Sequence, residues 1–384
     1  MKSIIDFPDS RDSAAARLRH VFGAPLRTLA ARRPDEVRPL LDTVQQAAEA
    51  GLWCLGWLCY EAAAAFDAAF ADALHAQPVG RPLAWFAVHA PPTAMGEEEV
   101  GGLDCGPVHV RWRPGLDRGQ FDHAIARIHA AIAAGDCYQV NYTAQLTGRL
   151  QGDAGALFAA LRRAQPGGYL ACMEGGGEQV LSVSPELFFD WDGERILARP
   201  MKGTAARGAT PQQDESNVQA MCASPKERAE NVMIVDLLRN DLSRIAQAHS
   251  VRVPRLFHAE QLPTVWQMTS DVEARTRAGT SLADVFAALF PCGSVTGAPK
   301  LQAMRVIRAL EPGPRGVYCG AMGVVRPGSA AGRMHATFNV PIRTVVVRGS
   351  VLHCGVGSGI TAGAQAEAEW QEWRHKRAFL QRIG

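Results

Sequence analysis

The order in which strand-like and helix-like segments follow one another constrains this fold more than any other feature. Apolar runs typical of strands come in groups, and amphipathic runs typical of helices separate these groups in irregular blocks. A doubly wound parallel sheet requires regular alternation of strand and helix, which this order does not have. The pattern therefore predicts an α+β protein.

The predicted strands are Gly51–Tyr60, Tyr138–Leu150, Leu181–Phe189, Arg195–Leu197, Val317–Arg326, His335–Val347 and Val351–Gly355. The predicted helices are Glu36–Ala50, Asp117–Ala134, Lys226–Gln247, Ser281–Phe290, a segment after Pro299, and Ala364–Arg382. A segment rich in glycine and proline, Ala90–Pro114, is interpreted as a linker. We therefore expect a smaller N-terminal region, residues 1–95, packed on the core, and a larger domain, residues 115–384.

Charge and hydropathy argue against two classes of partner. The net charge is +2 without a polybasic run, so electrostatics do not favour binding to nucleic acid. No apolar stretch reaches the roughly 18 residues that a membrane helix needs. The N-terminus carries Asp6, Pro8 and Asp9 in place of the apolar core of a signal peptide. A cytoplasmic protein that binds neither nucleic acid nor membrane is expected.

Two pairs of glutamates have the spacing of a metal site. Glu227 and Glu230 lie three residues apart on one predicted helix, and Glu369 and Glu372 repeat this spacing on the last helix. Two such pairs can hold Mg2+, which takes oxygen ligands and keeps several waters. The alternative is structural: Ser224-x-x-Glu227 is also a capping box, and the other pair can form surface ion pairs.

Lys202 and Glu186 are candidate catalytic residues. Lys202 lies in a tight loop after a strand, where desolvation can lower the pKa of an amine enough to make it nucleophilic. Glu186 precedes an apolar strand and can act as a general acid if it is partly buried. The alternatives are a surface lysine in a turn and a salt bridge at the start of a strand.

Two glycine-rich segments are candidate turns. Gly293–Lys300 lacks the Gly-Lys-Ser/Thr ending of a phosphate loop, so nucleotide binding is not predicted. Cys354–Ile360 is expected to end a strand before the last helix, where its backbone N–H groups can form an anion nest. A tight turn without a ligand explains the same glycines.

The order of these motifs resembles the chorismate-utilising enzyme family, which includes anthranilate, aminodeoxychorismate, isochorismate and salicylate synthases. The resemblance covers about 120 to 384, with a weaker match at Gly56–Phe66. The segments that carry it are Ala134–Asn141, Ser184–Glu186, Pro200–Thr204, Glu227–Asp241, Gly293–Lys300, Ile342–Thr344 and Gly355–Ile360.

The resemblance implies a fold of two large antiparallel sheets packed face to face with helices outside. It implies that Mg2+ is held by Glu227, Glu230, Glu369 and Glu372, and that the ion contacts the ring carboxylate of chorismate. The residues that it implies for substrate binding are Gln139, Gly203, Thr204, Thr296, Tyr318, Arg343, Gly357, Gly359 and Lys376. Among these, Arg343 and Tyr318 match residues that bind the enolpyruvyl carboxylate of the substrate.

Two positions indicate which branch of the family this chain resembles most. Members that add water have a lysine base at the position of Gln139, and glutamine cannot act as that base. Lys202 matches a lysine of the aminodeoxychorismate synthases, where anthranilate synthases have alanine. The resemblance thus implies amination at C4 of chorismate, with Lys202 adding at C2 and Glu186 protonating the departing hydroxyl. At Gln267 many members have histidine. Glutamine cannot exchange a proton near neutral pH, so it can only hydrogen-bond there.

The residues by themselves leave two other functions open. Anthranilate synthase is the alternative within the family, and a non-catalytic scaffold that binds a glutaminase is the alternative from another class. The chain shows no convincing Cys-His-Glu segment of a glutaminase. The resemblance therefore implies a glutamine amidotransferase subunit that supplies ammonia and a separate lyase that acts downstream.

Overall fold

A computed structural model describes residues 3–12, 17–92, 106–262, 265–381 and 383 of the chain. Within these residues, the strands form one sheet of nine and one sheet of ten, and neighbouring strands run antiparallel. Side chains from both sheets, among them Phe7, Trp57, Met322 and Val346, pack together in a single apolar cluster between them. The predicted pair of antiparallel sheets packed face to face is confirmed.

The first sheet contains, in spatial order, β15 (Gly297–Ala298), β7 (Gln139–Gln151), β19 (Val351–Thr361), β18 (Thr344–Arg348), β9 (Glu178–Ser184), β8 (Tyr169–Gly175), β1 (Ser3–Phe7) and β2 (Leu18–Phe22), with β6 (His109–Arg113) beside β7. The second contains β12 (Met201–Ala206), β14 (Val265–Arg275), β11 (Arg195–Arg199), β10 (Leu187–Trp191), β17 (Met334–Asn339), β16 (Ala321–Pro327), β4 (Trp53–Leu58), β5 (Ala84–His89) and β3 (Arg27–Ala31), with β13 (Arg252–Gln261) beside β14.

The helices cover the outer faces of the two sheets. They are α1 (Pro34–Glu49), α2 (Arg118–Ala133), α3 (Ala154–Ala164), α4 (Pro211–Ala223), α5 (Pro225–Ser243), α6 (Leu282–Leu289), α7 (Lys300–Leu310), α8 (Ala366–Lys376) and α9 (Ala378–Gln381). Leu41 of α1, Leu238 of α5 and Phe286 of α6 belong to the core on the second sheet. Phe121 of α2 and Trp373 of α8 belong to the core on the first sheet. This arrangement confirms the α+β class with helices outside.

Two strands that the apolar pattern predicted as continuous change sheet in the middle. The predicted strand Leu181–Phe189 is β9 of the first sheet followed by β10 of the second. The predicted strand His335–Val347 is β17 of the second sheet followed by β18 of the first. Both predictions are wrong because the residues near each crossing are buried or, at Pro185, Ile342 and Arg343, partly buried, so the apolar run continues through it.

The expected turn at Cys354–Ile360 is also wrong. β19 runs without interruption from Val351 to Thr361 and pairs with β7 along its length. The glycines in this segment occupy alternate positions, so they share one face of the strand. A Cβ at Gly355 would lie 2.3 Å from the Tyr318 ring, and one at Gly357 would lie 2.4 Å from the Tyr142 carbonyl. Glycine here provides space beside a strand and does not form a turn.

The N-terminal region contributes strands to both sheets: β1 pairs with β8, and β4 pairs with β16. The division into residues 1–95 and 115–384 stays a prediction. Residues 93–105 of the predicted linker lie outside the described residues, and its last part forms β6 beside β7. Helices α3 and α4 were not predicted. In the described part of the chain, no helix has both the length and the apolar character needed to span a membrane.

Candidate active site

Lys202 lies on β12, in a strand with an irregular register and not in the tight loop expected from the sequence. The pairing of β12 with β14 shifts between Met201 and Thr204, and Gly203 between them has a φ of +89°. The Gln267 amide donates to the Gly203 carbonyl at 2.7 Å and accepts from the Thr204 hydroxyl at 3.1 Å. Gln267 therefore holds the bulge at its glycine and at the residue that follows it.

The Lys202 amine lies beside Gln139 and Gly359. A Cβ at Gly359 would lie 3.0 Å from the lysine Nζ and 2.9 Å from the Gln139 Nε2, so this glycine leaves room for both groups. Burial lowers the pKa of Lys202, although the nearby charge of Glu230 opposes the shift. A larger fraction of neutral amine, the form that can attack carbon, is therefore present near neutral pH.

Glu186 lies at the crossing from β9 to β10 and is 3% exposed. Burial raises the pKa of its carboxyl from 4.5 to about 7, while a hydrogen bond to Ser294 and the charge of Lys202 act in the opposite direction. Its Oε1 has no hydrogen-bond partner among the described residues. A carboxyl with this pKa can hold a proton at neutral pH and release it to a leaving group.

Arg343 lies at the other crossing, between β17 and β18. The two crossings are hydrogen-bonded to each other: Val183 donates to the Arg343 carbonyl at 3.2 Å, and Val340 donates to the Glu186 carbonyl at 3.1 Å. One guanidinium nitrogen of Arg343 is buried without a partner among the described residues. Burial lowers the pKa of Arg343 to about 10, so the group stays charged near neutral pH. It is free to bind a carboxylate.

The four predicted metal ligands lie on α5 and α8 and have different surroundings. Glu369 is buried and accepts from the Ser358 hydroxyl at 2.5 Å, so the alternative of a solvent-facing ion pair is wrong for this residue. Glu372 forms an ion pair of 2.7 Å with Lys376. The Ser224 hydroxyl accepts from the Glu227 backbone at 3.3 Å, so the serine half of the capping box is present. The Ser224 backbone donates to the Met221 carbonyl and not to Glu227, so the reciprocal half is not formed.

These carboxylates have the donor chemistry of a magnesium site. Burial raises the pKa of Glu230, and the charges of Glu227 and Glu369 raise it further. Burial also raises the pKa of Glu369, and the charge of Glu372 adds to this effect. A divalent cation would relieve this repulsion between like charges. Among the described residues, no group of three or more His, Cys, Asp or Glu is close enough to hold a metal by itself. One or two carboxylates with water and a bound substrate carboxylate suffice for Mg2+.

The other predicted substrate-binding residues are distributed around this region. The Lys376 amine donates to the Gly357 carbonyl at 3.0 Å, which connects α8 to β19. Thr296 is fully buried, and its hydroxyl donates within its own turn to Cys292 at 3.2 Å. Tyr318 lies in the turn before β16 and not on the predicted strand, with its ring against Gly355. Their roles in binding stay predictions.

A cavity of about 630 Å³ opens beside Tyr318 and Gly355. Thr143, Glu311 and Arg315 also line it, whereas Lys202 does not.

The sequence reasoning missed Glu311, Arg315 and Ser294. Glu311 and Arg315 are four residues apart and separated by Pro312, Gly313 and Pro314. Two opposite charges at the ends of a turn rich in proline and glycine can pair, and this pattern could have predicted a fixed loop here.

Comparisons with known proteins find a matching family model and similar sequences. A model of the family described as chorismate binding enzyme matches residues 103–382. The aminodeoxychorismate synthase component 1 of Klebsiella aerogenes is 42% identical over 261 residues, which cover 68% of this chain and 57% of that protein. The anthranilate synthase component 1 of Streptomyces coelicolor is 38% identical over 271 residues, which cover 70% and 52%. The matched stretch thus spans little more than half the length of these relatives.

Solved structures show the same fold. The anthranilate synthase component I of Streptococcus pneumoniae superposes with a TM-score of 0.75 at 23% identity, over 99% of this chain and 90% of that chain. The menaquinone-specific isochorismate synthase of Escherichia coli superposes with a TM-score of 0.75 at 18% identity, over 100% and 88%. Because the family model matches well over half of the chain, this protein belongs to the family of chorismate binding enzymes.

Proposed function

We propose that this chain is the chorismate-aminating component of an aminodeoxychorismate synthase, which replaces the 4-hydroxyl of chorismate with an amino group. The observation that supports this most directly is the Lys202 amine, which lies beside Gln139 and has a pKa lowered by burial. Gln139 cannot deprotonate water. The relatives that are 38–42% identical and bear the aminodeoxychorismate synthase name support the same branch.

The proposed chemistry uses Lys202 as a nucleophile and Glu186 as an acid. The neutral Lys202 amine forms a bond to C2 of the ring while both ring double bonds shift, C1=C2 to C1=C6 and C5=C6 to C4=C5, and the C4–O bond breaks. Glu186 gives its proton to the departing oxygen, which leaves as water. Ammonia then attacks C4, both double bonds return to their first positions, and Lys202 leaves C2 as a neutral amine. The new ammonium at C4 gives one proton back to Glu186. Covalent capture divides one difficult displacement into two easier ones.

The remaining residues bind and orient the substrate. The unpartnered guanidinium of Arg343 is proposed to bind the enolpyruvyl carboxylate, with the Tyr318 ring beside it. Glu227, Glu230, Glu369 and Glu372 would hold Mg2+, which would neutralise the ring carboxylate when bound. Holding both carboxylates places C2 and C4 relative to Lys202 and Glu186 before the reaction begins.

We also propose two partner proteins. A glutamine amidotransferase subunit would supply ammonia, since the relatives are named as component 1 of their synthases. A separate lyase would release 4-aminobenzoate from the product. Neither partner is needed when ammonium replaces glutamine as the nitrogen source, which allows the chemistry of this chain to be tested alone.

The decisive experiment is product analysis of the purified chain with chorismate, Mg2+ and ammonium. Chromatography with mass spectrometry should detect 4-amino-4-deoxychorismate without release of pyruvate. Anthranilate together with an equal amount of pyruvate would instead assign the chain to the anthranilate synthases. No consumption of chorismate under conditions where Glu230→Gln is equally inactive would support a binding scaffold and refute the proposal.

A further inference from the structure

Arg315 forms a buried network in the turn between α7 and β16. It is 5% exposed, and its guanidinium donates to both oxygens of Glu311, at 2.9 and 2.6 Å. The same guanidinium donates to the Val295 carbonyl and to the Asn141 carbonyl, each at 2.7 Å. We call these four residues the Arg315 clamp. A planar group with several donors suits such a site, whereas a single ammonium does not.

The two carbonyls in the clamp belong to segments that carry predicted site residues. Val295 lies between Ser294, which hydrogen-bonds to Glu186, and Thr296. Asn141 lies two residues after Gln139 on the same face of β7. The Asn141 backbone also donates to the Thr296 carbonyl at 2.8 Å. The guanidinium therefore joins the turn behind Glu186 to the strand that presents Gln139.

Glu311 connects the clamp to strand β7. The Glu311 Oε1 accepts from the backbone and from the hydroxyl of Thr143, each at 2.9 Å. Thr143 lies on β7 opposite Gly357. The Arg315 backbone donates to Glu61 at 2.7 Å, which ties the turn to the N-terminal region. These contacts leave little freedom for the turn that precedes Tyr318.

We propose that Arg315 is a positioning residue for the amination reaction. It holds the turn of Ser294 against the strand of Gln139, so that Glu186 and Gln139 keep their places around the Lys202 amine. This inference rests on the proposed function for the identity of the reaction. A buried ion pair that served stability alone would not need to bind backbone carbonyls from both the turn of Ser294 and the strand of Gln139.

Arg315→Lys tests the inference because it keeps a cation beside Glu311 and loses the fork that reaches both carbonyls. We expect kcat to fall on the order of 10- to 100-fold, because small displacements of reacting groups have effects of this size. We expect KM for chorismate to stay within about threefold, because Arg343 and the carboxylates are untouched. The matched control is Arg308→Lys on α7, where the side chain donates to the Leu74 carbonyl at 2.9 Å.

Rates are measured as chorismate consumed with saturating ammonium and Mg2+, at a temperature where circular dichroism shows each variant folded. The identity of the product tests the proposed function. The division of the rate loss in Arg315→Lys between kcat and KM tests the positioning role of Arg315, so the proposed function and the positioning role can fail separately. A folded Arg315→Lys variant with kcat within about twofold of the unmodified chain would overturn the inference. An equal loss in Arg308→Lys would also overturn it.

A milder pair of variants decides the question if Arg315→Lys does not fold. Thr143→Val removes one hydroxyl bond to Glu311 and keeps the volume, whereas Thr143→Ser keeps the hydroxyl. Loosening the clamp should lower kcat several-fold in the valine variant and leave the serine variant close to the unmodified chain. Equal kcat values in the two variants would overturn the inference.

Discussion

Glu186→Gln should make the protein more stable at alkaline pH while it removes activity. The Glu186 carboxyl has a pKa of about 7 in the folded chain, raised by burial from an ordinary value of 4.5. Between these two values the folded state binds a proton that the unfolded state has released, so stability falls as pH rises through this window. Above about 7 the loss is complete, and below about 4.5 both states are protonated and no loss occurs.

The magnitude follows from the difference between the two pKa values. Each pH unit is worth about 1.4 kcal/mol, so the ionised carboxyl costs about 3 kcal/mol of folding free energy at pH 8. Glutamine has nearly the same shape as the protonated acid and does not ionise. The free energy of unfolding of Glu186→Gln should therefore exceed that of the unmodified chain by about 3 kcal/mol at pH 8 and by little at pH 4.5.

Urea titrations followed by tryptophan fluorescence at pH 4.5, 6 and 8 measure this difference. The matched control is Glu194→Gln, an exposed carboxylate paired with Arg275, which should show no comparable pH dependence. The activity of Glu186→Gln should fall by about 100-fold or more, because the general acid is gone. If unmodified and variant chains lost stability in parallel from pH 4.5 to 8, the reasoning about a buried, protonated Glu186 would be refuted.

The remaining predictions concern the nucleophile and the metal. Lys202→Ala should lose most amination at C4 and gain some at C2, which chromatography detects as anthranilate or its precursor. Aminodeoxychorismate formed at a near-normal rate by this variant would rule out the covalent role. Glu230→Gln and Glu372→Gln should abolish Mg2+-dependent turnover without unfolding the chain, whereas the exposed Glu367→Gln on α8 should not. A Mg2+ dependence that is the same in all three variants would contradict the assignment of the metal ligands.

The sequence predicted the class of the fold, but not the points where the chain changes sheet. Apolar periodicity reports burial, and a residue between two sheets is as buried as one within a sheet. The available signal was proline: Pro185 and Pro341 both interrupt the predicted strands, and proline is unfavourable inside a central strand. Glu186 directly follows Pro185, and Arg343 comes two residues after Pro341, so the crossings determine where both side chains enter the site.

The glycines of β19 show a second limit of local reasoning. A cluster of glycines is typical of a turn, which led to the wrong prediction at Cys354–Ile360. Their alternate spacing is instead typical of a strand in which one face must stay free of side chains. What occupies that space is remote in sequence: the Tyr318 ring beside Gly355, and the Lys202 amine beside Gly359. Such a requirement becomes visible only when the partners are brought together by the fold.

The hydrogen bonds that the site leaves unmade are a further property that no local motif predicts. Both amide atoms of Gln139, one oxygen of Glu186 and one nitrogen of Arg343 are buried without partners among the described residues. Each such group costs about 1–3 kcal/mol, so a chain selected for stability alone would pair or replace them. A ligand with two carboxylates and a hydroxyl can supply the missing partners, and chorismate has these groups. These buried atoms, which no described protein group satisfies, are therefore the ones expected to favour this substrate over an apolar one of similar size.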